Sequence, residues 1–542
     1  MFSKIATRKS LILFCFGLSL MLFVWFVLST KEIIDPFLYP RLVYGELMRN
    51  EGKLASFVLD RTTVGRLDRA PFFELLIVIL IKIGGFTGYQ LAFLPIGGIL
   101  VALSYFVLSR RLFRSNALAL MLTLTLMYEP ALEQSMYNVY YEGIAFTIYL
   151  VAIFSCIGLV IQRKRAYFVC LLLLFIGAQY IHPIFAPWIL ALFLAYIVAY
   201  LFKQVRKSIL NPRRAWALIF CLLTIHLATS DWFFYYLVMN RDVLSLQQVI
   251  SLFVERVMSV GTRSKELTTV TEYIHIQELG SPYLAQLQLV YHLLTITPVV
   301  VYFLFMFKDV KSRHSSNLLK SNWEQQKLVL WGAGVTSLLN VLLYVFFVGY
   351  PGTKYNLFFF PIPATLALFF ILKKSKRTRT RAKPIIWVFL LLLLVVNAGK
   401  FSLAINETLA IPEPYSSVQV GADWILKNNR ERGIILSDFP TSGAIALRLS
   451  MKGHVPTNVR SITTKIYESL RNSSYSDLKI SFLLNSSSTL VMGEKTLSIP
   501  FYADNYWFVP PLNSVIEQRF FDKIYDGPVV MFTTYKDTLR QP

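Results

Sequence analysis

The recurrence of long apolar runs constrains this chain most. Runs of 18 or more apolar residues follow one another along roughly the first 400 positions, and each is long enough to cross a hydrocarbon core of about 30 Å as a helix. The 542 residues are 55% hydrophobic and only 16% charged, whereas ordinary soluble domains carry about 25% charged residues. The sequence therefore predicts a polytopic α-helical membrane protein.

The distribution of basic residues predicts how the chain is threaded. If the segment 71–84 lies on the membrane surface, the cytoplasmic loops hold 26 Lys and Arg residues against two acids, Asp309 and Glu324. Cytoplasmic loops are enriched in Lys and Arg, and a crossing at 71–84 would turn most of these loops outward. We therefore predict about eleven transmembrane helices and a cytoplasmic N-terminus. The spans lie near residues 11–29, 89–109, 116–128, 143–161, 166–182, 184–202, 215–238, 287–307, 328–348, 357–372 and 385–403.

The same threading predicts the domains. Residues 1–403 form the transmembrane domain, with a first outer loop at 30–88 and a long outer loop at 239–286. Residues 404–542 change character, because GIILSDFP and the terminal KIYDGPVVMFTTY read as strands next to helical segments. This pattern predicts a soluble, extracytoplasmic α/β domain. We expect the protein to lie in the plasma membrane, or in the endoplasmic reticulum membrane if it is eukaryotic.

Two helices of the first outer loop are expected to lie on the bilayer. The segment PFFELLIVILIKIG at 71–84 is too short for a full span and suits an interfacial or re-entrant helix. In PFLYPRLVYGELMRNEG the apolar residues recur at helical spacing, which suits an amphipathic surface helix. These apolar residues are Phe37, Leu38, Leu42, Val43 and Leu47.

Three acidic residues fall in loops on the same, extracytoplasmic face: Asp35, Glu142 and Glu272. Carboxylates that converge at a membrane surface can bind a metal, deprotonate an acceptor or hold a cationic substrate. Asp35 is the leading candidate, because a carboxylate in a half-dry position near lipid headgroups is a stronger base and metal ligand than in water. The structural alternatives are a helix cap for Asp35, a charged span boundary for Glu142 and a solvated loop acid for Glu272.

Two basic residues on the same face suit a phosphate-bearing lipid. Arg41 lies in the amphipathic segment of the first outer loop, and Lys354 lies in the short outer loop GYPGTKYN. A lipid phosphate requires such cations near its headgroup, although Lys354 also fits a simple snorkelling lysine. The formal net charge of +23 does not indicate nucleic-acid binding, because the basic residues sit in short loops between spans.

In order and topology, nearly the whole chain resembles the GT-C glycosyltransferases, membrane enzymes that use polyprenyl-phosphate-linked sugars. The segment IDPFLYPRLVYGELMRNEGKL is similar to the first loop of oligosaccharyltransferase catalytic subunits, with its Asp, aromatic residues and Arg. NVYYEGIAF resembles their acidic motif before a span, and Thr269-Val270-Thr271-Glu272 resembles their Thr-Ile-x-Glu motif. Ser437-Asp438-Phe439 stands near the place of their Trp-Trp-Asp motif but lacks the tryptophans.

The resemblance implies an inverting glycosyltransferase that moves a sugar or glycan from a polyprenyl-phosphate-linked donor to an acceptor on the extracytoplasmic face. Asp35, Glu142 and Glu272 would be the catalytic residues, and they would also hold a divalent cation, Mg²⁺ or Mn²⁺. Arg41 and Lys354 would bind the donor phosphate. Asp438 and Tyr141 would contact the acceptor, which is a protein, a glycan or a lipid.

Two alternatives stay open at this point. The first is an oligosaccharyltransferase that N-glycosylates proteins. The second is a non-catalytic polytopic transporter or lipid-binding scaffold. Transporters often carry inverted repeats and interrupted helices with their sites near the bilayer midplane. This sequence has no clear repeat, and its acids cluster at one surface.

Overall fold

The computed structural model describes part of the chain. The described residues are 38–51, 71–128, 141–162, 164–181, 386–399, 415–428, 435–454, the seven short strands named below, Gly17, residue 384, and parts of 185–193, 217–225, 290–304, 329–330 and 456–461. The chain divides into two compact units, Met1–Val24 with Pro95–Ala404 and Trp25–Leu94 with Ile405–Pro542. The sequence predicts a division at residue 403 between a membrane domain and a soluble domain, and this division stays a prediction. In the structure, residues 25–94 pack with residues 405–542.

The unit that contains Pro95–Ala404 is helical in its described part. Its helices are α4 (Ile96–Phe113), α5 (Asn116–Met127), α6 (Tyr141–Gln162), α7 (Arg165–Ile181) and α8 (Ile386–Gly399). Helix α4 packs against α5 and α6, and α6 packs against α7. Buried aromatic rings fill the core, with Tyr149 and Trp188 at 5.1 Å between ring centroids and Phe185 also at 5.1 Å from Trp188.

One run of the described residues has the length and composition of a membrane span. Gly88–Phe113 has 26 residues and is long and apolar enough to cross a membrane by these two criteria; it begins at Gly88, before the Pro95–Ala404 segment of the helical unit. Helices α5, α7 and α8 and the segment Gly143–Leu159 of α6 are apolar but shorter. The spans predicted near 89–109, 116–128, 143–161, 166–182 and 385–403 therefore coincide with apolar helices, and the total of eleven stays a prediction.

The other unit combines helices from before Pro95 with the C-terminal segment. Helices α1 (Tyr39–Glu51) and α2 (Pro71–Lys82) come from the first outer loop, and α3 (Gly88–Ala92) lies at the start of the span predicted near 89–109. Helices α9 (Tyr415–Asn428) and α10 (Phe439–Met451) come from the C-terminal segment. Helix α1 packs against α2, α3 and α10. Helix α10 also contacts α9 and the first two strands, so it lies between the sheet and α1.

The C-terminal strands form one mixed sheet and one separate ribbon. The strands are β1 (Ile435–Ser437), β2 (Val459–Ser461), β3 (Thr489–Gly493), β4 (Phe501–Ala503), β5 (Trp507–Val509), β6 (Phe521–Tyr525) and β7 (Val529–Thr534). The sheet has the order β2-β1-β3-β7-β6, in which β1 runs parallel to β2 and β3, and β7 runs antiparallel to β3 and β6. Strands β4 and β5 pair with each other. The register sets Ile435 beside Val459 and Thr489.

Local sequence defines both ends of α10. Asp438 is the N-cap and Pro440 lies in the first turn, where its missing N–H costs nothing. At the other end, Gly453 takes a φ of +83°, its N–H bonds to Ser450 O at 3.0 Å, and the N–H of His454 bonds to Leu449 O at 3.0 Å. These bonds form a Schellman motif, which satisfies the last carbonyl groups of the helix.

An ion pair joins the two C-terminal helices. Arg448 of α10 donates from Nε to Asp423 Oδ1 at 2.9 Å and from Nη2 to Oδ2 at 2.8 Å. This two-bond geometry is the strong form of an Arg–carboxylate pair. The hydrogen bonds from Arg448 lower the pKa of Asp423 below its ordinary value.

Candidate functional site

The described residues include two of the predicted site residues with their side chains. Arg41 lies on α1 and is half-buried, and Asp438 caps α10. Asp35, Glu272 and Lys354 lie outside the described residues. Tyr141 and Glu142 open helix α6, but their side chains are also outside the described part. The predicted meeting of Asp35, Glu142 and Glu272 therefore stays a prediction.

Helix α1 is fixed by protein on two sides. On one side Gly45 faces α2, so closely that an added Cβ would lie 3.0 Å from Ile81 Cδ1 and nearer still to Ile77. On the other side Gly443 of α10 faces Tyr39, where an added Cβ would lie 2.7 Å from the Tyr39 Cβ. The side chain of Asn50 also donates to Ser450 O at 2.9 Å. A helix held in this way gives its side chains defined positions.

The apolar side chains of α1 correct one expectation. Leu38, Leu42, Val43 and Leu47 are each at most 1% exposed. The sequence assigned this stripe to the bilayer surface, and that assignment is wrong for these four residues. They are buried within the protein, because α1 packs against α2 and α10.

The partly exposed side of α1 carries Arg41 and Tyr44. Both side chains are half-buried, and residues three apart lie on the same side of a helix. Burial raises the pKa of the Tyr44 hydroxyl, so at neutral pH this group stays protonated and can donate a hydrogen bond. A guanidinium and a hydroxyl donor on one helix face form an arrangement that can bind a phosphate group.

Glu46, on a different side of α1, has a structural role. Its side chain is 1% exposed, Oε1 accepts from the backbone N–H of Gly88 at 2.6 Å, and Oε2 lies 3.4 Å from Arg49 Nη1. Gly88 is the first residue of α3, which Thr87 and Gln90 cap through reciprocal bonds at 3.2 and 2.9 Å. A carboxylate stabilises the free N–H groups at a helix N-terminus. Glu46 therefore ties the start of α3 to α1.

Asp438 is fully buried and serves as the cap of α10. Its Oδ2 accepts from the N–H of Thr441 at 3.2 Å, and its carbonyl accepts from Ser442 at 2.8 Å. The neighbouring Ser437 donates from Oγ to Val491 O at 2.6 Å, which joins β1 to β3. The acceptor-binding role predicted for Asp438 finds no support in this placement, because the carboxylate has no exposed surface.

Metal-ligand clusters are absent from the described part of the chain. Among these residues there is no group of three or more His, Cys, Asp or Glu side chains that could hold a metal ion. The side chains of Asp35, Glu142 and Glu272 lie outside that part, so the predicted cation site stays a prediction.

Among the comparisons with known proteins, only the search of solved structures finds similar chains. No family model matches the chain, and no curated protein matches it. A crystal structure of ArnT from Cupriavidus metallidurans bound to undecaprenyl phosphate has 11% sequence identity and a TM-score of 0.49, and the alignment covers 98% of this chain and 99% of that chain. A crystal structure of ArnT from Cupriavidus metallidurans in the apo state has 11% sequence identity and a TM-score of 0.40, and the alignment covers 99% of this chain and 100% of that chain. Both TM-scores are below 0.5, so neither likeness decides the fold or the function.

Proposed function

We propose that this chain is a polytopic GT-C glycosyltransferase that transfers a sugar or glycan from a polyprenyl-phosphate-linked donor to an acceptor on the extracytoplasmic face of a membrane. The observation that carries the proposal is the position of Arg41. This cation lies on a helix that protein contacts fix on two sides, and it follows Asp35 by six residues in the sequence. A fixed cation close in sequence to a candidate base suits a reaction in which a phosphate leaves.

Arg41 and Tyr44 bind the donor phosphate in this proposal. The guanidinium supplies charge-assisted hydrogen bonds, and the protonated Tyr44 hydroxyl supplies a neutral one. Since both side chains are half-buried, water screens their interaction with a phosphate less than at an open surface. Lys354 would supply a second cation from the short outer loop.

The reaction is a displacement at the anomeric carbon. Asp35 takes the proton from the nucleophilic group of the acceptor, which then forms a bond to the anomeric carbon from the face opposite the phosphate. The bond between that carbon and the phosphate oxygen breaks, and its electron pair stays on the oxygen. The products are the glycosylated acceptor, with inverted configuration, and the polyprenyl phosphate. Arg41 stabilises the charge that develops on the leaving oxygen.

Glu142, Glu272 and Tyr141 complete the site in the proposal. The two glutamates orient the acceptor, or with Asp35 they hold a divalent cation such as Mg²⁺ or Mn²⁺, and Tyr141 contacts the acceptor. Chelation with EDTA tests the cation: transfer that stops with EDTA and returns with Mg²⁺ or Mn²⁺ supports it, and unchanged transfer contradicts it. Peptide, glycan and lipid acceptors tested in parallel identify the acceptor class.

Arg41→Gln tests the phosphate site, with Arg49→Gln as a matched control. Arg49 lies on the same helix, is 46% exposed and pairs with Glu46. Hydrogen bonds to charged groups contribute about 1.5–3 kcal/mol, so Arg41→Gln should weaken binding of undecaprenyl phosphate to the purified full-length protein roughly 10- to 150-fold. Arg49→Gln should change it less than about twofold, because the Arg49 side chain is exposed and Glu46 keeps its hydrogen bond from Gly88. Equal effects of the two substitutions would refute the assignment.

Asp35→Asn tests the chemical step. We expect this variant to fold and to bind undecaprenyl phosphate like the wild type while it loses sugar transfer, because an amide cannot take the acceptor proton. The measurement uses a donor with a labelled sugar and follows the loss of label from the polyprenyl phosphate as the sugar is transferred. Full transfer by Asp35→Asn would rule out Asp35 as the base.

A further inference from the structure

Helix α4 carries an exposed apolar stripe that ends in two arginines. Leu100, Leu103 and Val107 are 37%, 43% and 50% exposed. The same helical spacing continues to Arg110, and Arg114 follows just past the end of the helix with a left-handed backbone; both arginines are exposed. The exposed side of this helix is therefore apolar along its middle and cationic at its C-terminal end.

Helix α7 repeats this arrangement from its opposite end. Val169, Leu173 and Ile176 are 52%, 63% and 43% exposed and lie on one side of the helix. Arg165, one turn before Val169, is exposed, and so is Lys164 just before the helix. In α7 the cations stand at the N-terminal end of the stripe.

A cation–aromatic contact brings the two basic ends together. The guanidinium of Arg111 lies 4.2 Å from the ring centroid of Phe154 on α6 and 5.9 Å from that of Tyr167 on α7. The Tyr167 hydroxyl donates to Gln162 Oε1, at the end of α6, at 3.1 Å. The C-terminal end of α4 and the turn between α6 and α7 therefore lie at the same end of the helix bundle. The charge pattern predicts that both are cytoplasmic.

On the described residues of α4 to α7, no acid lies near these cations in the sequence. Along the described residues of α4 to α7, the sequence has a single acid, Glu142, at the first turn of α6. The far end of that helix is about 30 Å away at a rise of 1.5 Å per residue. Within the described part of the chain, no ion pair involves the four exposed cations Arg110, Arg114, Lys164 and Arg165.

We propose that these four cations form a binding site for the phosphate headgroup of an anionic phospholipid, whose acyl chains lie along the stripes of α4 and α7. Each stripe covers eight residues, a rise of about 10 Å along the helix axis, which fits within one leaflet of a hydrocarbon core of about 30 Å. Cations at the end of an apolar stripe match the headgroup and chains of a lipid in both charge and position. The site is separate from the residues of the proposed transfer reaction.

Native mass spectrometry of the purified full-length protein tests the site. The probes are phosphatidylglycerol and phosphatidylcholine with identical acyl chains. Each basic residue near a membrane surface contributes about fivefold to binding of an anionic lipid. We therefore expect the wild type to prefer phosphatidylglycerol and the double variant Arg110→Gln/Arg114→Gln to bind it about 25-fold more weakly. Lys427→Gln, an exposed cation on α9, is the control and should bind like the wild type.

Three results would overturn the proposal. They are equal binding of the two lipids by the wild type, unchanged phosphatidylglycerol binding by the double variant, and stronger displacement of the lipid by inorganic phosphate than by a chloride salt of the same ionic strength. If the double variant does not fold, Lys164→Gln/Arg165→Gln provides the same test from the turn before α7. The wild type alone also tests the site, because salt screens the attraction between the cations and the headgroup. Its preference for phosphatidylglycerol must therefore fall as the salt concentration rises.

Discussion

Replacement of Gly443 by alanine tests the contact that holds α1 against α10. The added Cβ would lie 2.7 Å from Tyr39 Cβ and 2.9 Å from Tyr39 Cγ. Because Tyr39 Cβ is attached directly to the backbone of α1, one of the two helices must shift. Overpacking of this kind costs about 1–3 kcal/mol, and the higher helix propensity of alanine returns at most about 1 kcal/mol. Because contacts of 2.7 and 2.9 Å require a backbone shift, the upper part of that cost range applies, and we expect a net loss of about 1–2 kcal/mol.

Hydrogen exchange followed by mass spectrometry measures this loss locally. In Gly443→Ala, amides of α1 should exchange about 5- to 30-fold faster than in the wild type, since exchange follows the free energy of local opening. Binding of undecaprenyl phosphate should also weaken, because α1 carries Arg41. The exchange result stands even if the proposed function is wrong.

Gly177→Ala is the matched control for this substitution. Gly177 lies in the middle of α7, where an added Cβ would meet only Ile148 Cδ1 at an ordinary distance of 3.6 Å. The alanine should stabilise α7 by up to about 1 kcal/mol and leave exchange in α1 unchanged. If Gly443→Ala also leaves exchange in α1 unchanged, or slows it, the close approach of the two helices is refuted.

Substitutions at three further positions test polar contacts of the same unit. The pKa of Asp423 is lowered by Arg448, so its contribution to stability is present above the ordinary pKa and is lost as pH falls through the lowered one. Asp423→Asn should therefore reduce the melting temperature at pH 6, and this reduction should shrink as pH falls below the ordinary pKa of an aspartate. A reduction that does not change with pH would contradict the pairing. Glu46→Leu should cost about 1–3 kcal/mol, because the buried N–H of Gly88 loses its acceptor; Glu46→Gln keeps an acceptor and should lose less, which thermal unfolding compares directly. Asp438→Ala should cost about 1 kcal/mol through the lost cap and leave the KM for the acceptor unchanged, whereas a raised KM with normal stability would restore the acceptor-binding role.

The C-terminal elements that the sequence located are those with strong local signals. Strand β1 lies in GIILSDFP and β7 lies in KIYDGPVVMFTTY, where strands were predicted, and β6 begins two residues before the second segment. The sheet order was outside the reach of local patterns, because β3 pairs with β7 across about 40 residues and places Leu490 beside Phe532. Pairings of that range depend on packing between distant segments and leave no periodic trace in the sequence.

The apolar stripe of α1 shows the limit of helical periodicity. Spacing correctly identifies Leu38, Leu42, Val43 and Leu47 as one buried side. It does not identify what covers that side, since lipid and protein satisfy an apolar face equally well. The close approaches at Gly45 and Gly443 indicate protein on both sides, and neither glycine forms part of a recognisable turn or motif.

The candidate site was predictable only in part. The sequence identifies Arg41 as a cation of the first outer loop but misses Tyr44, which reads as one more apolar residue between Val43 and Gly45. Its position three residues after Arg41 is the signal that could have found it. The burial of Glu46 was not predictable, because its partner is a backbone N–H 42 residues away.

Helix α2 combines two apolar sides with a length that excludes a span. Its 12 residues cover about 18 Å, well short of a hydrocarbon core of about 30 Å. Phe73, Ile77 and Ile81 are buried, and α1 covers this side at least in part. The opposite side remains exposed, with Phe72, Leu75, Ile79 and Ile83 between 42% and 81% accessible. A continuous exposed apolar stripe requires an apolar environment. A short helix can obtain one without leaving its protein partner if it lies along the membrane interface or enters the membrane part-way. The buried and the exposed sides of α2 therefore both suit the interfacial or re-entrant helix predicted for 71–84.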